Sequence, residues 1–204
     1  MSDLRNTLPE EDQYQLLAAH GLREAFCGYW VERDDLDELA ELLGLEPRSR
    51  RDLTLAEAAI TMTDSSDIYE SNSVWIGPHG PGWSVVISQL GLETVPDGVI
   101  PGDRRLLEVS WMWDIHGLHD LHYCQDDKLI AEIPAFPTGE LLPDPVFEPY
   151  SHGLPRDGDE NEGEERLAHA FLTIVGRITG RFLDEAWFRT PGHAYDLPPI
   201  NTRR

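Results

Sequence analysis

Apolar positions along this chain follow two rhythms, one helical and one alternating, with glycine and proline marking the changes between them. Thr7-Leu8-Pro9-Glu10-Glu11 reads as a helix start, with proline tolerated in the first turn and acids facing the positive end of the dipole. Tyr14, Leu17 and Ala18 continue it as an apolar stripe, and His20-Gly21 stops it. Phe26 to Val31 is short, apolar and aromatic-rich, the composition of a strand. Asp34 is placed to cap a helix whose Leu36, Leu39, Leu42 and Leu43 share one face, ended by Gly44. Thr54-Leu55-Ala56-Glu57 is a capping box that opens a short helix to about Met62.

The middle of the chain reads as strands. Ser73 to Ile76 and Trp83 to Ser88 flank Gly77-Pro78-His79-Gly80-Pro81-Gly82, whose breakers predict a hairpin connection. Leu106 to Ile115 alternates in part and puts Trp111 and Trp113 on one face. Gly117 offers a turn into Leu118–Cys124, and Asp126-Asp127 leads into Lys128–Ile133. Prolines recur from Pro134 to Pro155, which predicts an irregular wrap or loop. Residues 156–166 contain no apolar side chain and are expected to form a mobile acidic loop. Leu167, Phe171, Ile174, Val175 and Ile178 then repeat at helical spacing, Thr179-Gly180 ends that helix, and Asp184 to Phe188 adds a further turn. The expected architecture is one α+β domain over residues 1–190. It has a mostly antiparallel central sheet covered by N-terminal and C-terminal helices, and a frayed proline-rich tail at 191–204.

Charge narrows the partners. The 204 residues hold 38 acids and 16 Lys+Arg, a formal net charge of −22. Residues 1–70 carry 17 acids against 6 bases, whereas residues 156–204 carry 9 against 7, so the field belongs to the first three quarters. Such a field repels phosphate backbones, and no direct nucleic-acid binding is expected. It favours a basic protein partner or cations, beside its ordinary role in solubility. No apolar run approaches a membrane span. Met1-Ser2-Asp3-Leu4-Arg5 lacks a signal-peptide profile, and Cys27 and Cys124 form no CxxC pattern. These features set the expectation of a cytoplasmic protein without a membrane partner. No cofactor motif is expected, and nothing in the pattern sets an oligomeric state.

Several short motifs carry a resemblance. They are Ala25-Phe26-Cys27-Gly28-Tyr29-Trp30-Val31 followed by the Asp35–Gly44 helix, and Gly82-Trp83-Ser84-Val85-Val86-Ile87 leading to Gly91. Tyr123-Cys124-Gln125-Asp126-Asp127-Lys128-Leu129 and Ile178-Thr179-Gly180-Arg181-Phe182-Leu183 complete the set. In this order, over about residues 22–188, the chain resembles a domain family of unknown function that is widespread in actinobacteria. The resemblance implies no activity. It implies asparagine, threonine or serine at the positions of the histidines discussed next, which argues against a family-wide metal site there.

Trp113-Asp114-Ile115-His116-Gly117-Leu118-His119-Asp120-Leu121-His122-Tyr123-Cys124 is the one stretch rich in metal-ligand side chains. On a strand, a spacing of three sends successive histidines to opposite faces, so only His116 and His122 share parity, at about 20 Å. A hairpin turning at Gly117-Leu118 folds His116 back near His119, with Asp114 or Asp120 as a further ligand. The plainer expectation is a set of surface or half-buried histidines on a hairpin. His122 and Cys124 point the same way about 7 Å apart, too far for a nucleophile–base hydrogen bond, and Cys27 reads as core. There is no Gly-x-Ser-x-Gly elbow. Residues 77–82 carry prolines where a phosphate loop needs amides, and 157–165 lacks EF-hand spacing. Most of the six tryptophans belong in the core; any left exposed would make a docking face.

The function expected from these observations is binding: an acidic module of inhibitor or immunity type that docks on a basic protein through Asp34, Asp35, Asp37, Glu38 and Glu41. The alternatives are a metal-assisted enzyme using His116, His119 or His122 with Asp114 and Asp120, and a small-ligand domain with a pocket between sheet and helix.

Overall fold

The computed structural model describes residues 4–63, 73–89, 104–157 and 163–197. Its organising element is strand β1 (Ala25–Val31), buried at every position. It pairs antiparallel with β4 (Trp83–Ser88), also buried throughout, and with β5 (Arg105–Met112). Strands buried on both faces read as continuous apolar runs, which is how these two appear in the sequence. Outward from β4 lie β3 (Ser73–Gly80), β9 (Pro191–Asp196) and β2 (Arg51–Thr54). Outward from β5 lie β7 (Leu121–Gln125) and β8 (Lys128–Ile133), and the short β6 (Gly117–Leu118) also pairs with β5. The result is a nine-stranded antiparallel sheet of α+β class. The helices are α1 (Gln13–Ala19), α2 (Leu36–Leu42), α3 (Leu55–Thr63), α4 (Gly163–Thr179) and α5 (Glu185–Phe188).

Alternation along each strand divides the interior in two. Phe26 and Trp30 of β1 join Trp75, Val85, Ile87, Leu107, Val109 and Trp111 in the larger cluster, together with Leu17, Leu55, Phe171 and Trp187 from four helices. The intervening Cys27, Tyr29 and Val31 join Val74, Ile76, Val86, Leu106 and Tyr195 in a second cluster, with Leu39 and Ala40 of α2. Five of the tryptophans are buried and Trp113 is half-buried, so no tryptophan is left to form a docking face.

Several expectations need correction. The first helix does not start at Thr7–Glu11 but at Gln13, because Asp12 is the N-cap and accepts from the Gln15 amide. Residues 191–204 are not wholly a tail: Pro191–Asp196 is β9, inserted between β2 and β3. Pro191 is the first residue of that strand, where a missing N–H is tolerated, and Ala194 and Tyr195 supply burial on opposite faces. Of the acidic loop at 156–166, residues 163–166 form the first turn of α4, where Glu164 and Glu165 complement the helix dipole; residues 158–162 lie outside the described residues. The breakers at 77–82 shorten to a turn around Pro81-Gly82, because β3 continues through Gly80. Pro78 fits inside that strand because β9 pairs with β3 only as far as Ile76, and no ladder bond is lost on that side.

One packing detail ties the sheet's left half together. The Trp75 indole donates to the Leu53 carbonyl of β2 at 3.0 Å, reaching across β9. It lies against Gly77 and Gly192: a Cβ at Gly77 would stand 2.0 Å from the ring, and one at Gly192 would stand 2.5 Å from both the ring and the Ile76 carbonyl oxygen. Gly77→Ala is therefore expected to lose about 1–3 kcal/mol by overpacking, read as a lower urea midpoint. An unchanged midpoint would show that the indole moves aside freely.

Candidate functional site

The acids of the α2 region divide into two groups. Asp35, and not Asp34 as the sequence suggested, is the N-cap, its Oδ1 accepting from the amides of Asp37 and Glu38 at 3.0 Å each. Glu38 forms an ion pair with Arg33, whose side chain is 2% exposed against 50% for Glu38. Asp37 pairs with Arg50 at 2.8 Å. The Asp34 and Glu41 side chains are exposed and make no hydrogen bond or ion pair among the described residues. Asp34, Asp35 and Asp37 line an open cleft of about 460 Å³ with Leu36 and His193. His193 is itself held by Asp52 at 2.9 Å, and Asp52 is kept below the usual carboxylate range by Arg50 and then His193. The five acids thus share a region, but Asp35, Asp37 and Glu38 already have partners.

The histidine stretch folds differently from a turn at Gly117-Leu118. The chain reverses over Trp113–His116, and Gly117 (φ +70°) and Leu118 return as β6 against Met112 and Trp111. His116 and His119 come together, ring centroids 5.8 Å apart, and His119 Nδ1 lies 3.2 Å from Ser110 Oγ. Asp114 stays exposed in the turn. Asp120 and His122 instead converge with Glu132, with ligand atoms within 4.8 Å of one another.

Glu132 escaped the reading of the sequence, and its arrival has a local cause. The two-residue turn Asp126-Asp127, both at positive φ (52° and 55°), sets Gln125 opposite Lys128 and Cys124 opposite Leu129. Continued without interruption, that register places His122 opposite Ala131. A bulge between Tyr123 and Cys124 shifts it by one, so Tyr123 faces Ala131 and His122 faces Glu132. On the other side of β7, His122 faces Glu108, whose Oε2 is 3.4 Å from Nδ1. That hydrogen bond, opposed by burial and aided by the charges of Glu108, Asp120 and Glu132, raises the His122 pKa. Asp120 Oδ1 accepts from the Ala135 amide at 2.7 Å, tying the entry of β7 to the exit of β8.

The thiols are poor nucleophiles. Burial pushes Cys27 up to about 12, and burial with the charges of Glu108 and Asp127 raises Cys124. His79, within the glycine-proline stretch, is a core residue. Its Nε2 lies 3.0 Å from the Arg181 carbonyl oxygen and from Thr179 Oγ1, and its ring packs edge-on against Trp30 and Trp187. Burial holds it down to about 3, with the Arg181 charge adding to the shift. No described helix is long and apolar enough to cross a membrane. Comparison with protein-family models, curated proteins and solved structures finds no match for the chain.

Two outcomes follow from these environments. Glu38→Ala leaves the buried Arg33 cation without its carboxylate, and a loss of about 1–3 kcal/mol is expected after discounting for the solvent exposure of Glu38. Glu41→Ala should stay within about 0.5 kcal/mol, and equal urea midpoints for the two variants would remove the distinction. His79 remains neutral in the fold but takes a proton near 6.5 when unfolded. Its folded pKa is depressed, so the unfolded state binds more protons between those values, and stability falls as pH drops from about 6.5 towards 3. The slope reaches at most about 1.4 kcal/mol per pH unit. Other groups titrate in this window, so the His79 share is the difference in slope between the native chain and His79→Gln; identical slopes would contradict the assignment.

Proposed function

We propose that this chain is an acidic protein-binding module of inhibitor or immunity type, docking on a basic partner through the α2 face. The proposal includes its membership of the actinobacterial family that its motifs resemble, and a sheet covered by helices from both ends of the chain. One observation carries the docking: the cleft in which Asp34, Asp35 and Asp37 meet Leu36 and His193, with the unpaired Glu41 on the same helix. A partner lysine or arginine entering it meets carboxylates at the end of its side chain and an apolar contact along the stem. Asp35 and Asp37 are already fixed by the helix cap and by Arg50, so the recognition surface is partly preorganised. The net charge of −22 supplies long-range attraction to any basic surface. Direct nucleic-acid binding has no support in this charge distribution.

The test uses Asp34→Lys with Glu41→Lys, because neither side chain has a partner whose loss would unfold the protein. Native and doubly substituted chains are used to capture proteins from the source cells at low and moderate salt. The expected outcome is one or more strongly basic proteins enriched by the native chain, depleted by the double variant, and bound about tenfold more slowly as salt is raised. A partner insensitive to both salt and charge reversal, or no basic partner at all, would overturn the reading.

A further inference from the structure

The geometry points to Asp120, His122 and Glu132 as a binding site for a divalent transition-metal ion, with Glu108 orienting the imidazole. This inference does not rest on the docking reading. The cluster lies at the β7–β8 end of the sheet, whereas α2 contacts β3 on the far side of β1.

Charge is the first argument. Three carboxylates, Glu108, Asp120 and Glu132, surround one imidazole, and no arginine or lysine forms an ion pair with any of them among the described residues. Elsewhere the protein answers its clustered acids with arginine, as Arg50 does between Asp37 and Asp52, and Arg105 does for Glu32. A bound dication supplies here what a guanidinium supplies there.

Orientation is the second. His122 Nδ1 is taken by Glu108, the carboxylate–histidine arrangement that fixes an imidazole tautomer and leaves Nε2 to coordinate. One oxygen of Asp120 is held by the Ala135 amide, which leaves the other for an ion. The Glu132 side chain is exposed and makes no hydrogen bond or ion pair with described residues, so it can close on an ion at small cost. Ligand atoms around one ion stand about 3–3.5 Å apart, so the present spread of up to 4.8 Å closes by modest side-chain rotation.

Donor chemistry then selects the class. One imidazole nitrogen with two carboxylate oxygens suits Zn²⁺, Mn²⁺, Fe²⁺, Co²⁺ or Ni²⁺; an all-oxygen shell is what Ca²⁺ and Mg²⁺ require. Three protein ligands on a half-open sheet face leave coordination positions for water or for a side chain of another molecule.

The test is calorimetric titration of Zn²⁺ into the full chain, prepared without a histidine tag and stripped by chelator. Co²⁺ absorption is the second measurement, since visible bands report inner-sphere coordination. Saturable one-to-one binding is expected, weakened at least about tenfold in His122→Ala and Glu132→Gln and to a lesser degree in Glu108→Gln. Glu132→Gln removes an exposed carboxylate with no structural bond, so its folding is safe and it decides the matter if His122→Ala is unstable. His116→Ala with His119→Ala should bind as the native chain does. Absence of saturable binding would overturn the site, with an imidazolium then left as the only counter-charge. Undiminished binding by Glu132→Gln, or loss of binding in the His116/His119 double variant, would overturn it equally by placing the ion elsewhere.

Discussion

Burial of β1 and β4 on both faces is the constraint on which the rest of the molecule depends. Because neither strand has a solvent side, apolar side chains of alternating parity need a core above and a core below. The larger core draws on α1, α3, α4 and α5, while the smaller one takes leucine and alanine from α2. Neither β7 nor β8 is buried on both faces, and there the second face turns polar. Glu108, His122 and Glu132 therefore sit side by side across β5, β7 and β8, where a half-open sheet tolerates charge. The same logic that closes the centre of the sheet leaves polar side chains at its β7–β8 end.

Polar side chains do the joining where the apolar clusters cannot. Gln13 is buried and exchanges two hydrogen bonds with the Leu183 backbone, donating to its carbonyl at 3.1 Å and accepting from its amide at 2.7 Å. That pairing holds α1 to the segment before α5 as a strand would. Arg177 of α4 is buried and donates to the carbonyls of Thr7, Tyr150 and His152. Three carbonyl dipoles replace a carboxylate partner, and burial lowers its pKa accordingly. The proline-rich segment thus has a reason to hold one course despite its lack of regular structure.

Against this frame of answered charges, the excess acid of the surface sorts into two kinds. Some carboxylates cap helices or neutralise arginines, as Asp35, Glu38 and Glu32 do. Others, such as Asp34, Glu41 and Glu132, have no such duty in the fold. Composition treats both kinds alike. A charge count identifies an acidic protein, whereas only the partners of each carboxylate show which charges are free to meet something else.

The helices, the two buried central strands and the antiparallel class are properties of the sequence itself, because periodicity, capping residues and breakers act over a few neighbouring positions. The capping box at Thr54 and Glu57 is a case in point: Thr54 donates its amide to Glu57, and Glu57 donates its own back to the Thr54 hydroxyl. Strand β9 was hidden because it opens on a proline, two more follow soon after it, and its partners, β2 and β3, are more than a hundred residues distant. The histidine cluster was half hidden for a similar reason. Strand parity assumed one continuous strand through His116–His122, whereas the chain turns at Trp113–His116 and breaks again at His119-Asp120 before β7; parity within one strand also says nothing of what stands on the next. Whether His122 faces Ala131 or Glu132 turns on a single extra residue, Ile130 of β8, opposite the Tyr123–Cys124 step. Register between strands is set by turns, bulges and the packing of both faces together, and for that reason only the tertiary structure decided which carboxylate meets the imidazole.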